Sequence, residues 1–390
     1  MSLYIETIDI QHDWNVGIKE SDKHFWVSCR LQGQLTSDYG DVLQNALLNA
    51  PQQCGNFTVN KCNSHSVSIT SRDEKCTTAF LAPFKSVKLH KLIHCMDISS
   101  SGALGVCSAG DGNMWIWDTS TGETRRTLDG HVGDVYSCRY FPSGVVILSG
   151  GADTRLKIWS IQDGSCARTL TGHKRVINDT AIVDKGRNII SVAADGVAKL
   201  WDCGSAKCIS DLANLGTAIN CCTLGVFPEQ VHQQNITELE CSTTDKVLLV
   251  ACESGVACAI DVASRKQVVF TQQMNGALNC CTFLDDNTAV CGGDKGEIIM
   301  VDLRNTRSEL KKLTFSPSQI LSIVSAGKKC IASCADGSCY YFSAEDPSNG
   351  VVKLTGSNLD AVNSVKTIGN FVYTVCRDGI VRCYDLTQIV

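Results

Sequence analysis

The sequence has 390 residues, of which 44% are hydrophobic and 19% are charged, and this composition excludes an intrinsically disordered chain. Its net charge of −5 comes without a cluster of basic residues. Nucleic acid is therefore excluded as the main partner, because neutralising phosphates requires concentrated Lys and Arg. The 23 cysteines include no Cys-x-x-Cys pair, so no zinc site or dithiol redox motif is indicated and no cofactor is expected.

The N-terminal segment does not resemble a targeting sequence. It carries Glu6, Asp9 and Asp13 and has no apolar centre, which a signal peptide requires. No apolar run approaches the roughly 18 residues needed to cross a bilayer. Many cysteines fall at apolar strand positions, where they serve as small buried hydrophobic residues. We therefore expect a soluble, monomeric protein in a reducing compartment, the cytoplasm or also the nucleus, with no membrane partner.

Residues 1–76 are predicted to form a small β-rich domain. Residues 24–29 alternate in polarity like a strand, and residues 57–60 and 66–70 form two strand patterns in a hairpin-like arrangement. Residues 41–50 are compatible with a short helix. The alternative is an N-terminal extension that packs on the remainder of the chain.

A repeat of 42 residues dominates the chain from residue 77 to residue 390. In six copies an Asp in a tight turn follows a strand of small residues. One degenerate copy, at Ser254 and Gly255, fills the longer gap in the middle and makes seven copies. A period of this length with a Trp-Asp terminus is typical of WD repeats, so we predict an all-β fold, a seven-bladed WD-repeat β-propeller. The Asp positions are Asp111, Asp153, Asp195, Asp294, Asp336 and Asp378.

The last blade lacks its outer strand in the sequence. The chain ends shortly after Tyr384, which terminates the third strand of that blade. Residues 77–83, with the sequence TTAFLAP, lie just before the first blade and are predicted to supply the missing strand. Such a closure removes the exposed edge that an open ring would have.

Two copies of the repeat carry a polar tetrad of His, Ser, Asp and Trp at the same spacing. The indole N–H can donate to the Ser hydroxyl, the hydroxyl to the His, and the other His nitrogen to the Asp. Because the set recurs with the repeat and the Trp covers the hydroxyl, a structural network is favoured over a catalytic triad. The tetrads are His131, Ser149, Asp153 and Trp159, and His173, Ser191, Asp195 and Trp201.

The innermost strands should place one residue of each blade at the rim of the central channel. The alignment treats Val135 as equivalent to one residue of every other innermost strand, among them Leu321. The residue that follows each of these is expected to face the channel. A ring without carboxylates cannot perform acid–base catalysis with a lone His, so either a solvated rim or a protein contact surface is expected. The rim residues are His94, Tyr136, Asn178, Asn220, Asn279, Ser322 and Asn363, and Asp134 joins Tyr136 in the candidate contact surface.

An insertion between the third and fourth blades covers residues 226–245. It carries Glu229, Glu238, Glu240 and Asp245, and it is interpreted as a mobile acidic loop, with a solvated excursion favoured over a binding role.

Segments along the whole chain resemble the proteasomal ATPase-associated factor family. The resemblance is weakest over residues 1–50 and 226–245. The segments that carry it are FTVN (57–60), FLAP (80–83), GETRRTL (122–128), FPSGVVILSGG (141–151), LKIWS (156–160), DTAIVD (179–184), GRN (186–188), LWDCG (200–204), NCCTF (279–283), ADGSC (335–339) and CRDGIVR (376–382).

That resemblance implies a non-enzymatic chaperone of proteasome assembly. Members of the family bind the C-terminal domain of an ATPase subunit in the base of the 19S regulatory particle and hinder premature association with the 20S core. No binding motif of the family can be transferred residue by residue to this sequence, so the contact residues above are our own interpretation.

Two other classes are considered. WD-repeat substrate receptors of cullin-type ubiquitin ligases often end a blade in Trp-Asp-x-Arg, and residues 301–304 are similar except that Val301 replaces the Trp and Arg304 ends the motif. A propeller enzyme would need acids, bases or metal ligands around its channel, which the predicted rim lacks.

Overall fold

The computed structural model describes residues 3–17, 24–29, 38–43, 52–71, 76–89, 92–226, 237–270, 274–304, 309–347 and 350–390. These residues form strands almost throughout, numbered β1 to β36 in chain order. The described helical segments are a single turn, α1, at Trp14–Gly17 and a 3-10 turn at Leu386–Gln388.

In the described part of the chain, nine strands precede the first blade of the propeller. They are β1 (Leu3–Tyr4), β2 (Ile8–Ile10), β3 (His24–Cys29), β4 (Asp38–Leu43), β5 (Gln52–Cys54), β6 (Phe57–Cys62), β7 (Ser66–Ser71), β8 (Thr77–Leu81) and β9 (Lys85–Lys88).

Seven antiparallel blades follow, and the strands of each are called A to D from the inside outwards. Blades 1 to 3 are β10 (Ile93–Ile98), β11 (Leu104–Ala109), β12 (Met114–Asp118) and β13 (Thr124–Leu128); β14 (Val135–Tyr140), β15 (Val146–Gly151), β16 (Arg155–Ser160) and β17 (Cys166–Thr171); and β18 (Ile177–Val183), β19 (Asn188–Ala193), β20 (Val197–Asp202) and β21 (Lys207–Asn214). Blades 4 and 5 are β22 (Ile219–Val226), β23 (Lys246–Cys252), β24 (Ala257–Asp261) and β25 (Gln267–Phe270); and β26 (Leu278–Phe283), β27 (Thr288–Gly293), β28 (Glu297–Asp302) and β29 (Glu309–Thr314). Blade 6 is β30 (Ile320–Ala326), β31 (Lys329–Cys334), β32 (Cys339–Ser343) and β33 (Val351–Leu354), and blade 7 contains β34 (Val362–Ile368), β35 (Phe371–Cys376) and β36 (Ile380–Asp385).

The blades form a closed ring. The A strands of consecutive blades contact each other in order, and β34 of blade 7 contacts β10 of blade 1. Apolar side chains of neighbouring blades share a core: Val106 and Ile116 of blade 1 pack with Val135 and Trp159 of blade 2. Burial of both faces of each sheet stabilises the ring, because a single blade could not cover its own faces. The predicted seven-bladed WD-repeat propeller is confirmed.

The repeating Asp has a structural cause in the turn between strands B and C. Its carboxylate accepts the N–H of the residue two positions later, as in Asp336 with Ser338 (2.9 Å) and Asp378 with Ile380 (2.9 Å). The residue between them adopts a positive φ, +87° at Gly337 and +77° at Gly379, which Gly adopts without strain. This turn therefore favours an Asp-Gly pair, although in blade 2 Thr154 adopts the positive φ of +65°.

The strand that closes the ring is not the predicted one. Strand β9, Lys85–Lys88, pairs with β36 and forms strand D of blade 7. The prediction that residues 77–83 supply this strand is wrong. Strand β8, Thr77–Leu81, instead pairs on one side with β7 and on the other with β33 of blade 6.

The N-terminal strands are attached to two blades. Strands β5 to β8 extend blade 6 into an eight-stranded sheet, and β1 pairs with β29 of blade 5. Strands β2, β3 and β4 form a separate three-stranded sheet whose inner side packs with Trp14 and Phe80. Residues 41–43 belong to β4, so the helix considered for residues 41–50 is wrong for these three, and residues 44–50 lie outside the described residues.

Among the described residues, no helix is long and apolar enough to cross a membrane.

Candidate functional site

Every A strand contains a β-bulge at the same position, and this bulge creates the channel rim. In blade 2 the strand register shifts between Val135 and Ser137, which leaves Tyr136 outside the ladder. Bulges re-aim single side chains, here towards the channel. The structure brings His94, Tyr136, Asn178, Asn220, Asn279, Ser322 and Asn363 around one cavity of about 290 Å³.

The rim residue of blade 6 is Leu321 and not Ser322. Ile320 pairs with Cys334, and the register shifts before Ser322, so Leu321 occupies the bulge that Tyr136 occupies in blade 2. Ser322 corresponds to Ser137, one position deeper, and its hydroxyl accepts the N–H of Val365 (3.4 Å). The alignment was displaced by one residue, which in a strand moves a side chain to the other face.

The four rim Asn side chains hold adjacent blades together. Each donates its amide N–H to the carbonyl of the first A-strand residue of the next blade. Asn178 donates to Ile219 (2.8 Å), and Asn363 donates to Ile93 (2.7 Å) across the ring closure. Asn220 and Asn279 make the same contact with Leu278 (2.9 Å) and Ile320 (3.1 Å). These side chains therefore have a structural role that sequence reasoning did not identify.

The rim at blades 1 and 2 differs, because three polar and aromatic side chains contact each other there. The rings of His94 and Tyr136 lie 5.4 Å apart, and Tyr136 donates its hydroxyl to Asp134 (3.1 Å). His94 Nε2 lies 3.6 Å from the same carboxylate. Burial and this hydrogen bond to Asp134 raise the pKa of Tyr136. The Tyr136 ring remains 38% exposed.

Below the rim, an ion pair crosses the channel wall between blades 2 and 3. Arg139 contacts both carboxylate oxygens of Asp179 (3.0 and 3.2 Å), and Asp179 also accepts the N–H groups of Thr180 and Cys222. Burial alone would raise the pKa of Asp179, but the charge of Arg139 and these donors outweigh it and lower the pKa. The carboxylate is thus fully engaged in holding three blades together.

The two tetrads are assembled as hydrogen-bonded networks. Trp159 donates to Ser149 (2.8 Å), whose hydroxyl lies 2.7 Å from His131 Nε2, and His131 Nδ1 lies 3.0 Å from Asp153. Trp201, Ser191, His173 and Asp195 repeat these contacts in blade 3. Both Ser hydroxyls are completely buried, which leaves no access for a substrate.

The networks are reduced in other blades. In blade 1, Cys107 occupies the position of the Ser that would accept the indole N–H, and no partner of Trp117 Nε1 is found among the described residues. His90, the counterpart of His131, lies outside the described residues. In blades 6 and 7 the Trp position is filled by Phe342 and Tyr384, both buried.

The stability of the propeller should decrease as the pH falls below 6.5. Burial lowers the pKa of His131 and His173 from the ordinary value of 6.5, despite the neighbouring Asp residues. Between the folded and unfolded pKa values the unfolded chain binds more protons, so acidification favours unfolding. Urea unfolding at pH 7.5 and pH 5.5 measures this difference. The double variant His131→Gln, His173→Gln should show a flatter dependence, and an equal slope in both proteins would contradict the assignment.

The insertion lies within blade 4, between β22 and β23, so the prediction that it separates the third and fourth blades is wrong. Its described part is packed on the propeller. Glu240 is buried and forms an ion pair with Arg265 (2.6 Å), while Asn188 accepts the N–H of Cys241 (2.6 Å). The interpretation as a solvated acidic loop is therefore wrong for Glu240, which serves packing, whereas Glu238 and Asp245 are exposed. Glu229 lies outside the described residues.

Arg304, the end of the Trp-Asp-x-Arg-like segment, is exposed on the surface. Its guanidinium contacts both oxygens of Asp302 (3.0 and 2.8 Å), and Val301 is buried.

The cysteines that the structure describes are free, and most are buried. Within the described residues, no group of three His, Cys, Asp or Glu side chains could hold a metal ion.

These features define a WD-repeat β-propeller protein, and the comparisons with known proteins agree. The family model "WD domain, G-beta repeat" matches residues 82–118, 122–160 and 164–202. The chain is 45% identical to Proteasomal ATPase-associated factor 1 of Homo sapiens, over 97% of this chain and 98% of the relative. The proteins of the same name in Bos taurus and Gallus gallus are 44% identical, over 97% and 98% of this chain and 98% and 99% of theirs.

The chain therefore belongs to the proteasomal ATPase-associated factor family.

Proposed function

We propose that this protein is a non-enzymatic chaperone that binds the C-terminal domain of a proteasomal ATPase subunit and assists assembly of the 19S base. While bound, it would hinder premature association with the 20S core. The observation that carries the proposal is the similarity over nearly the full length to relatives named proteasomal ATPase-associated factor. The free, mostly buried cysteines suit a reducing compartment, the cytoplasm or nucleus, where the protein would act as a monomer.

The surface best suited to the ATPase domain is the rim at blades 1 and 2. The rim Asn side chains already donate to the protein's own backbone, whereas Tyr136, Asp134 and His94 remain partly exposed. A Tyr beside an acidic group can supply both buried apolar area and hydrogen bonds at an interface. The net charge of −5 would favour encounter with a basic face of the partner.

The double variant Tyr136→Ala, Asp134→Lys should bind the ATPase domain much more weakly while the ring stays folded. Loss of an aromatic anchor costs about 2 kcal/mol or more at many interfaces, and the new Lys repels a basic face. A pull-down with the C-terminal domains of all the proteasomal ATPases first identifies the domain that is retained best. Calorimetric titration of that domain then measures the affinity.

Phe371→Ala is the matched control, because Phe371 is 41% exposed but begins strand B of blade 7, at the opposite end of the ring. Unchanged affinity of the double variant would move the contact to the loops or the N-terminal strands. Retention of a cullin adaptor in place of an ATPase domain, lost on Arg304→Ala, would favour the ubiquitin-ligase receptor.

A further inference from the structure

A second open cavity lies between the N-terminal strands and blade 6, on the same end of the ring as the B–C turns. It has a volume of about 400 Å³. One wall is the outer face of the β2–β3–β4 sheet, with Trp26 and Asp9. The other wall consists of the B–C turn at residues 336–338 and the loop at residues 355–359. None of the residues that line this cleft lines the central channel, so it is a separate site.

Trp26 presents its ring to this cleft. Its strand neighbours Phe25 and Val27 point to the opposite face and are buried, whereas Trp26 is 42% exposed. The other five Trp residues are at most 8% exposed: Trp14, Trp115, Trp117, Trp159 and Trp201. On the propeller side Leu359 is 82% exposed. Two large apolar side chains are thus left uncovered in one concave site, where a ligand could bury them.

The charges of the cleft select the ligand. Lys353, the one Lys or Arg among the described residues that line it, is 9% exposed in its side chain and pairs with Asp9 beneath the ring of Tyr340. Asp9 keeps 62% of its side-chain surface exposed. Asp336 also lines the cleft. Asp41 is exposed and lies on β4, directly opposite Trp26 of β3.

Asp9 compensates the charge of the buried Lys353, and the further carboxylates of Asp336 and Asp41 leave the cleft and its edge with a net negative charge. A cation that approaches Trp26 would meet the negative face of the indole ring together with Asp9 and Asp41. An anionic ligand would be repelled by the same groups. The cleft is open between the outer face of the β2–β3–β4 sheet and the two loops of blade 6, which suits an extended chain segment.

We propose that this cleft binds an extended basic segment of a partner protein, with an Arg or Lys side chain over Trp26 and near Asp41. The proposal does not depend on the identity of the protein bound at the channel rim. It assigns a docking function to the N-terminal strands, which would otherwise serve only to cover blade 6.

Three acetylated, amidated peptides of the same length test the proposal; they carry Arg, Gln or Glu at the same alternating positions. Anisotropy of a fluorescent label on each peptide measures binding to the full chain. The Arg peptide should bind best, with an affinity that falls as NaCl is added, because salt screens the carboxylates. It should also protect Trp26 from quenching by acrylamide, since the other Trp residues are already shielded.

Trp26→Ala should lower the affinity for the Arg peptide roughly tenfold, as expected for loss of a cation–π contact that is desolvated on binding. Asp41→Asn should lower this affinity about threefold. Phe371→Ala, which removes an equally exposed ring on the opposite end, should change nothing. Equal binding of the Arg and Gln peptides, tighter binding of the Glu peptide, or wild-type affinity of Trp26→Ala would overturn the proposal. If protection of Trp26 increases with protein concentration in the absence of peptide, the cleft binds a second copy of this chain, and the proposal is overturned as well.

Discussion

Replacing Trp159 by Ala should lower the free energy of unfolding by roughly 3–5 kcal/mol, the usual cost of truncating a large buried aromatic residue. Trp159 is 1% exposed and packs in the core shared by blades 1 and 2, with Val106, Ile116 and Leu128 as neighbours. The substitution leaves a cavity in that core. It also removes the indole donor of Ser149, so the buried network that includes His131 loses one of its bonds.

The control is Trp26→Ala, the same chemical change at an exposed position. Such surface substitutions usually change stability by no more than about 0.5 kcal/mol. Trp159→Phe separates the two effects, because it keeps most of the volume and loses only the hydrogen bond. Urea unfolding of the three variants measures the ranking. A Trp159→Ala curve that coincides with the wild-type curve would mean that this network does not hold blades 1 and 2 together.

The propeller could be predicted because its strongest signal is local. In blades 1, 2, 3, 6 and 7 the Asp of the B–C turn accepts the N–H two residues later, and a residue with positive φ follows it, which is Thr154 in blade 2 and Gly in the others. Both requirements recur in every blade that uses this turn, so they appear as a period in the sequence. The tetrads could be found for the same reason, since four side chains at fixed offsets occupy equivalent positions in blades 2 and 3.

The rim of blade 6 could not be aligned from the sequence alone. A bulge adds one residue to a strand, and hydrophobic alternation contains no marker for it. In most blades a polar residue follows one apolar residue, but Ile320 and Leu321 are both apolar, so either fits the first position. Only the pairing of Ile320 with Cys334 decides between them.

The closing strand was misplaced because hydrophobicity is a poor guide to outer strands. The D strands of blades 1 and 2 are mostly exposed, so a polar sequence suits that position. Strand β9 has this character, with the sequence KSVK. Strand β8 is apolar and largely buried because it lies inside the eight-stranded sheet. The cleft beside Trp26 was also unforeseen, since it depends on how this sheet and the β2–β3–β4 sheet meet.

Val87→Pro should open the ring at blade 7 and lower its melting temperature. Val87 lies opposite Val381, and the next bond of this ladder runs from the N–H of Leu89 to the carbonyl of Gly379 (3.0 Å). Because hydrogen-bonded pairs alternate along an antiparallel ladder, Val87 belongs to a bonded pair. Proline removes this donor and leaves the Val381 carbonyl unpaired, at a cost of about 1–3 kcal/mol, and it exposes β36 as a free edge.

Ser86→Pro is the control in the same strand. Ser86 faces Arg382 in the alternate, non-bonded pair, so its N–H points away from β36, and Pro is tolerated at such edge positions. Differential scanning calorimetry and size-exclusion chromatography should therefore show a lower melting temperature and concentration-dependent oligomers for Val87→Pro only. Since one strand from the N-terminal side holds the last blade shut, equal melting of the two variants would mean that closure depends on the A-strand contacts and not on β9.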